Sequence, residues 1–200
     1  LANLTLLDKA QALLRAHLAP LHALVAGAVP QPSDRACIIF SSGSTGTPKG
    51  VVLTHANLLS NLDALGAVVP VSRRDTLCAT LPLFHSFGYL GTLWWPLLTR
   101  IPTAYHANPL QTAAVIRLVR DARATALLTT PTLLQNYMRR ATAEDFASLR
   151  HVFTGGEKLS VPLADAFEQA FGLRPHEGYG STELSPVVSI SLPNRTAGAA

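Results

Sequence analysis

The chain has 200 residues, of which 48% are apolar and 14% charged, with a formal net charge of +4 at neutral pH. That is one domain's length with enough apolar material for a core, which excludes a disordered chain. No run of 18 apolar residues is present to cross a membrane. The thirteen arginines and three lysines are scattered, apart from Arg73-Arg74 and Arg139-Arg140, which argues against a nucleic-acid interface. Cys37 and Cys78 sit in apolar stretches without a CxxC or zinc spacing. They read as buried free thiols in a reducing, cytoplasmic compartment. No HExxH or other metal-ligand spacing occurs among the seven histidines. The chain starts at Leu1 without a leader pattern and runs out in an Ala/Gly tail. It reads as a piece of a longer protein.

In chain order, Thr5–Leu18 places Leu6, Leu7, Ala10, Leu13, Leu14, His17 and Leu18 on one helical stripe, with Thr5 and Asp8 spaced as a capping box. Val29–Ser33 reads as a connector. Ala36–Phe40 and Val51–Leu53 read as short buried strands on either side of a Ser/Thr/Gly loop. Thr54 can cap a helix carrying Leu58, Leu59, Leu62, Leu65 and Val69. Thr76–Thr80, Ile101–Tyr105, Thr125–Thr129, Arg150–Thr154, Arg174–Gly178 and Val187–Ile190 read as further strands. Between them, Phe84–Leu98 reads as a buried helix bent or ended by Pro96. Asn108-Pro109 reads as the cap and first turn of a helix bearing Val115, Leu118, Val119 and Ala122. Pro131–Arg140 is helical, and Ser160 opens a helix that Gly172 ends. Short apolar strands alternating with amphipathic helices imply an α/β fold: a mostly parallel sheet with flanking helices. In such folds ligands bind in loops at the carboxyl ends of strands.

Chemistry concentrates in four such loops. Ser41–Gly50 holds five hydroxyls, three glycines and Lys49 in ten residues. Glycines let the backbone approach an anion, hydroxyls add donors, and the ammonium adds a charge suited to phosphate. The loop is not a Walker loop, because Pro48 stands where that motif needs glycine and Gly50 follows the lysine. It is not a dinucleotide fingerprint either, since a strand follows it. The plain alternative is a surface hairpin. In Leu81–Gly88, His85 lies between Phe84 and Phe87; taken alone, these rings and Trp94 and Trp95 read first as core. Phe84 also occupies the first glycine position of a GxSxG elbow, which rules out a serine hydrolase built on Ser86. Thr154-Gly155-Gly156-Glu157-Lys158 follows a strand and could bring backbone to a ligand, or be a turn with a solvated ion pair. Gly178-Tyr179-Gly180-Ser181-Thr182-Glu183 offers an aromatic face for a purine, a hydroxyl for an α-phosphate and a carboxylate for Mg²⁺, or is a glycine turn with incidental polar residues.

The string Ser42–Gly50 closely resembles the phosphate-binding signature of adenylate-forming enzymes, a family of acyl-CoA synthetases, amino-acid adenylation domains and luciferases. His85 in Pro82-Leu83-Phe84-His85 resembles the family's histidine beside the acyl carboxylate. Tyr179–Glu183 matches its Tyr-Gly-x-Thr-Glu motif at every fixed position. The segments around His85 and Tyr179 look most like the acyl-ACP synthetase and acyl-CoA synthetase branch. Within it they are nearest the synthetase half of the bifunctional lysophospholipid acyltransferase/acyl-ACP synthetase.

The resemblance implies a leading helix and linker over 1–30 and a partial AMP-binding domain over 31–200, truncated before the C-terminal lid. It implies ATP and Mg²⁺, a fatty acid, and a phosphopantetheine thiol of acyl carrier protein or CoA. Ser42, Gly43, Ser44, Thr45, Gly46, Thr47 and Lys49 would hold the β- and γ-phosphates. Thr182 would serve the α-phosphate, Glu183 the metal and His85 the carboxylate. Gly155, Gly156, Glu157, Gly178, Tyr179, Gly180 and Ser181 would border the adenine and acyl groups. It also implies that the isolated piece does not complete adenylation, and that the parent works in the cytoplasm or at the cytoplasmic face of the inner membrane. Two readings compete with this one: a degenerate adenylation fold that only binds nucleotide or acyl groups, and an ordinary P-loop NTPase.

Overall fold

The computed structural model describes residues 5–18, 29–41 and 47–191. The chain divides into two compact units, Leu1–Asp34 and Arg35–Ala200. In the first, helix α1 (Leu6–Leu18) opens on the expected capping box. The Thr5 amide and hydroxyl both donate to Asp8 Oδ2, and the Asp8 amide returns a bond to Thr5 Oγ1.

The second unit begins with an antiparallel hairpin, β1 (Arg35–Ser41) and β2 (Lys49–Thr54), with Ser41 opposite Lys49 at the base of its loop. Thr54 caps α2 (His55–Val68) in a second capping box with Asn57. Then follow β3 (Leu77–Ala79), a compound helix α3 (86–99), β4 (Thr103–Tyr105), α4 (Thr112–Asp121), β5 (Ala126–Thr129) and α5 (Pro131–Met138). Strand β6 (His151–Thr154), α6 (Val161–Phe171), β7 (His176–Gly180), a 3₁₀ turn at Thr182–Leu184 and β8 (Val187–Ile190) complete it. The six-stranded sheet has the order β4-β3-β5-β6-β7-β8, parallel from β4 to β7 and antiparallel at β8. The expected mostly parallel α/β architecture is therefore present. Every residue of β3 and β5 is buried, as continuous apolar strands covered on both faces require. Leu77, Leu127, Val152, Tyr137 and Phe167 form the centre of the core.

Several elements differ from the sequence reading. The hairpin strands are not buried on both sides: Ile39 and Leu53 face the core, while Ile38, Phe40 and Val52 are exposed on the other face. Cys78 is buried, but Cys37, on the hairpin, is only partly so. Asn108-Pro109 does not open α4. The Asn108 side chain takes the Leu110 amide at 3.0 Å in a local turn, and the helix starts at Thr112. Strand β7 lies two residues later than Arg174–Gly178, which puts Tyr179 and Gly180 on the strand itself.

Helix α3 begins at Ser86 and is built of Ser86–Gly88, a π-helical stretch Tyr89–Trp94, and Trp95–Thr99. Pro96 falls in the first turn of the last piece. The Thr92 carbonyl, within the π-helical stretch, accepts the Tyr105 hydroxyl at 2.7 Å and so ties the helix to β4. Phe84, expected in the core, is 72% exposed.

Candidate active site

The chain leaves β3 for β4 on one side and returns to β5 on the other, so the strand order reverses between β3 and β5. A crevice at the carboxyl ends of the strands follows from that reversal. Here it is a cleft of about 730 Å³. Its walls are the loop after β3, Thr130–Leu133 after β5, Thr154–Glu157 after β6, and Gly178–Thr182 along and beyond β7. Of the sequence-predicted residues, His85, Gly155, Gly156, Glu157, Gly178, Tyr179, Gly180, Ser181 and Thr182 line this one cleft. They come from three loops more than 20 residues apart in the chain.

Each loop is held by identifiable contacts. Gly180 lies so close to the returning chain that a Cβ there would run into the Pro186 carbonyl oxygen. The Ser181 amide donates to that same carbonyl at 2.9 Å, pinning the start of the Thr182 turn. Asn61 on α2 clamps β8 from behind: its Nδ2 donates to the Val187 carbonyl at 2.7 Å and its Oδ1 accepts the Val187 amide at 3.1 Å. Glu177 on β7 accepts the Leu159 amide at 2.9 Å, tying the loop after β6 to its neighbour. At Gly155 an added Cβ would sit 3.0 Å from the Phe87 ring, so the absence of a side chain there lets the ring seat against the wall.

His85 stands at the N-terminus of α3, exposed to the cleft and against the Phe84 ring at a centroid distance of 4.5 Å. It is not a packed core histidine. The next residue, Ser86, places its Oγ 3.0 Å from Thr182 Oγ1 across 96 residues of sequence. This bond joins the histidine loop to the Tyr179–Glu183 loop. Tyr179 is 67% exposed, leaving its ring face open to a planar ligand. Glu157 does not pair with Lys158. Its Oε2 accepts the Thr132 hydroxyl at 2.6 Å and the Thr132 amide at 3.2 Å, in the first turn of α5, where the helix dipole favours a carboxylate. It is the one carboxylate on the cleft wall among the described residues. Tyr137, on the buried face of α5, donates its hydroxyl to the Pro109 carbonyl at 2.8 Å, and Pro109 and Leu110 line the cleft. Burial pushes its phenol up to about 12, so it stays a neutral donor.

Glu183 is exposed and stands beside the cleft rather than in its wall. Among the described residues no group of three His, Cys, Asp or Glu could hold a metal alone. A single carboxylate next to a phosphate site still fits Mg²⁺, which takes one or two protein oxygens and completes its shell with phosphate and water. Thr47 and Lys49 are exposed on the hairpin and do not line the cleft. Ser42, Gly43, Ser44, Thr45 and Gly46 lie outside the described residues. Sequence reasoning missed Ser86 as a bridging hydroxyl, Thr132 as the partner of Glu157, and Asn61. The position of Ser86 next to His85 was the one available signal; Thr132 and Asn61 act across the fold and leave none.

An open α/β sheet with hydroxyl, glycine and aromatic groups gathered at its switch point is the architecture of a nucleotide-using α/β enzyme. The model of the AMP-binding enzyme family matches residues 5–199, and the chain belongs to that family. It is 32% identical over 179 residues to 4-coumarate--CoA ligase 3 of Oryza sativa subsp. japonica, covering 84% of this chain and 32% of that protein. It is 32% identical over 165 residues to a feruloyl-CoA synthase of Amycolatopsis sp, covering 81% and 33%. The crystal structure of ATP-bound MatB from Rhodopseudomonas palustris superposes with a TM-score of 0.75 at 27% identity, covering 86% of this chain and 35% of that one. The chain thus spans about a third of the length of the relatives it matches.

Proposed function

We propose that the chain carries the nucleotide-binding and acyl-binding walls of an AMP-forming acid–thiol ligase. The observation that supports this most directly is the Ser86–Thr182 hydrogen bond, which brings the histidine loop and the threonine–glutamate loop to one cleft. ATP and the acid are both substrates. A carboxylate oxygen attacks the α-phosphorus, the bond to pyrophosphate breaks, and an acyl-adenylate forms. A thiol sulfur then attacks the acyl carbon, and AMP leaves with the bonding electrons. The protein's part is alignment and charge stabilisation.

In this reading His85 orients the carboxylate, Thr182 donates to the α-phosphate, and the Tyr179 ring covers the adenine. Gly155, Gly156, Gly178, Gly180 and Ser181 shape the adenine and acyl walls, and Glu157 fixes the rim through Thr132. Ser42, Gly43, Ser44, Thr45, Gly46, Thr47 and Lys49 hold the β- and γ-phosphates from the hairpin. Glu183 supplies the protein ligand for Mg²⁺, which would neutralise phosphate charge. Residues 1–30 form a leading helix and linker and 31–200 the partial adenylation domain; the lid belongs to the rest of the parent. The piece alone does not complete adenylation, and turnover by the isolated 200 residues would refute that.

The acid is a fatty acid and the acceptor a phosphopantetheine thiol of acyl carrier protein or CoA, in the cytoplasm or at the cytoplasmic face of the inner membrane. A second reading, an aromatic acid, is favoured by the names of the relatives and by Phe87, Trp95 and Phe153 on the cleft wall. The test is ATP–pyrophosphate exchange by the full-length parent with fatty, aromatic and amino acids. Exchange with medium or long fatty acids supports the reading. Exchange with aromatic acids alone keeps the ligase and changes the substrate. No exchange from folded protein favours a binding module, and release of ADP rather than AMP a P-loop NTPase.

A further inference from the structure

The end of the sheet opposite the cleft carries a charge pattern that the ligase chemistry does not use. In the sheet register Thr103, Leu77 and Ala126 lie side by side on adjacent strands β4, β3 and β5. Three residues upstream of each stands an arginine: Arg100, Arg74 and Arg123. With strands about 4.8 Å apart, the three lead-in segments span about 10 Å. Arg73 adds a fourth charge, since Arg73 and Arg74 are the two central residues of a turn closed by the Asp75 amide on the Ser72 carbonyl. All four are exposed, and none forms an ion pair among the described residues. The carboxylates nearest in sequence are both taken: Asp75, beside Arg74, by Ser72, Thr125 and Arg150, and Asp121, two residues before Arg123, by Arg120. At the β7 end of the same edge, Arg174 is neutralised by Asp165 and Glu168.

Two further observations bear on this corner. Arg100 and Arg123 both have left-handed backbones, with φ of 58° and 49°. At the equivalent end of α6 that conformation is taken by Gly172, the residue that adopts it without steric cost. The helix dipole favours a cation near a helix C-terminus, but one placed within the last turn would serve without this strain. Beside Arg100, Leu97 and Leu98 on the last turn of α3 are 62% and 49% exposed.

We propose that this corner docks on an anionic lipid bilayer, the arginines meeting headgroup phosphates and the two leucines entering the interface. Basic side chains flanking exposed leucines are the composition of a membrane-surface contact. An acidic carrier protein would match the charge. It must, however, deliver its thiol to the cleft, which lies at the other end of the strands.

The test is sedimentation of the full-length parent with vesicles of phosphatidylglycerol and phosphatidylcholine, against phosphatidylcholine alone. The expected result is binding to the anionic vesicles that weakens with salt. Arg100→Gly with Arg123→Gly should cut binding about 25-fold, roughly fivefold per charge, while the melting temperature holds or rises because glycine suits both backbones. Arg73→Gln with Arg74→Gln, at an exposed turn, gives the same readout without touching a helix end. Leu97→Ser with Leu98→Ser should weaken the binding that survives high salt. Undiminished vesicle binding by both arginine pairs overturns the proposal, as does no binding by the wild type. Loss of affinity for acyl carrier protein with vesicle binding unchanged would assign the corner to an acidic protein instead. These readouts do not depend on the ligase reading.

Discussion

Replacing Thr182 by Val keeps the side chain's shape and removes its hydroxyl; Ser86→Ala removes the partner 3.0 Å away. A neutral hydrogen bond between partly buried hydroxyls contributes about 0.5–1.5 kcal/mol, so Ser86→Ala should slow ATP–pyrophosphate exchange by about 2- to 13-fold. A hydroxyl that donates to the transferring phosphate is worth far more, about 10²–10³ in rate. Thr182→Val should therefore exceed Ser86→Ala by at least an order of magnitude. In the double variant the Ser86 effect should vanish, leaving a coupling of about 1 kcal/mol, well above the additivity error for independent sites. The assay is exchange by the full-length parent at saturating acid, with urea unfolding of each variant as a control. If Thr182→Val costs no more than Ser86→Ala, Thr182 only fastens two loops together and the α-phosphate assignment fails. If the two effects add, the hydroxyls are not coupled and the bridge is irrelevant to the reaction.

Lys49→Ala and Glu183→Ala should each lower exchange by about 10²–10³ with stability unchanged, since both side chains are exposed; near-normal exchange in both would remove them from the site. Gly180→Ala forces a Cβ onto the Pro186 carbonyl and should cost about 1–3 kcal/mol in urea unfolding, with loss of exchange because the Thr182 turn shifts. Asn61→Ala removes both bonds to Val187 and should cost about 1–3 kcal/mol while raising KM for ATP more than it lowers kcat; an unchanged KM would make Asn61 purely structural. His151 and His176 are held below the usual histidine range, chiefly by burial. The unfolded chain thus takes up their protons first, and stability should begin to fall as pH drops below about 6.5. For Asp75 burial would raise the carboxyl, but the Ser72 amide, the Thr125 hydroxyl and Arg150 overcome it and hold it low. Its contribution is present above the unfolded value and should be lost only below about pH 4. Urea midpoints flat between pH 7 and pH 5 would contradict the histidine argument.

The parallel sheet was legible because its signals are local and redundant. Strands such as Ala126–Thr129 are continuous apolar runs, and Thr54, Ser160 and Gly172 mark helix ends by their own side-chain or backbone chemistry. The same locality explains the errors. Asn108 caps whatever amide comes within reach, and here that amide belongs to a turn rather than a helix. Periodicity showed a helix through Phe84–Leu98 but could not show the π-helical stretch, whose Thr92 carbonyl accepts the Tyr105 hydroxyl from β4. Phe84 reads as core by composition, yet it lies on the carboxyl-end loop, where an exposed ring can pack against His85.

The candidate site was readable as four strings but not as an assembly, because the forces that assemble it act between residues far apart in the chain. The hairpin that bears Lys49 lies outside the main sheet, and β2 passes directly into α2 through the Thr54 cap. Helix α2 then holds β8 through Asn61, and β8 pairs with β7, the strand that presents Tyr179 and Gly180. Thus hairpin, helix and edge strand form one load path from β2 to the Thr182 turn, which Ser86 ties in turn to α3. Every link in that path is a hydrogen bond or strand pairing of a few kcal/mol at most, so no single one fixes the geometry. Segments this far apart in the chain are better placed by several such links than by a flexible tether, because loosening one link leaves the others to limit the displacement.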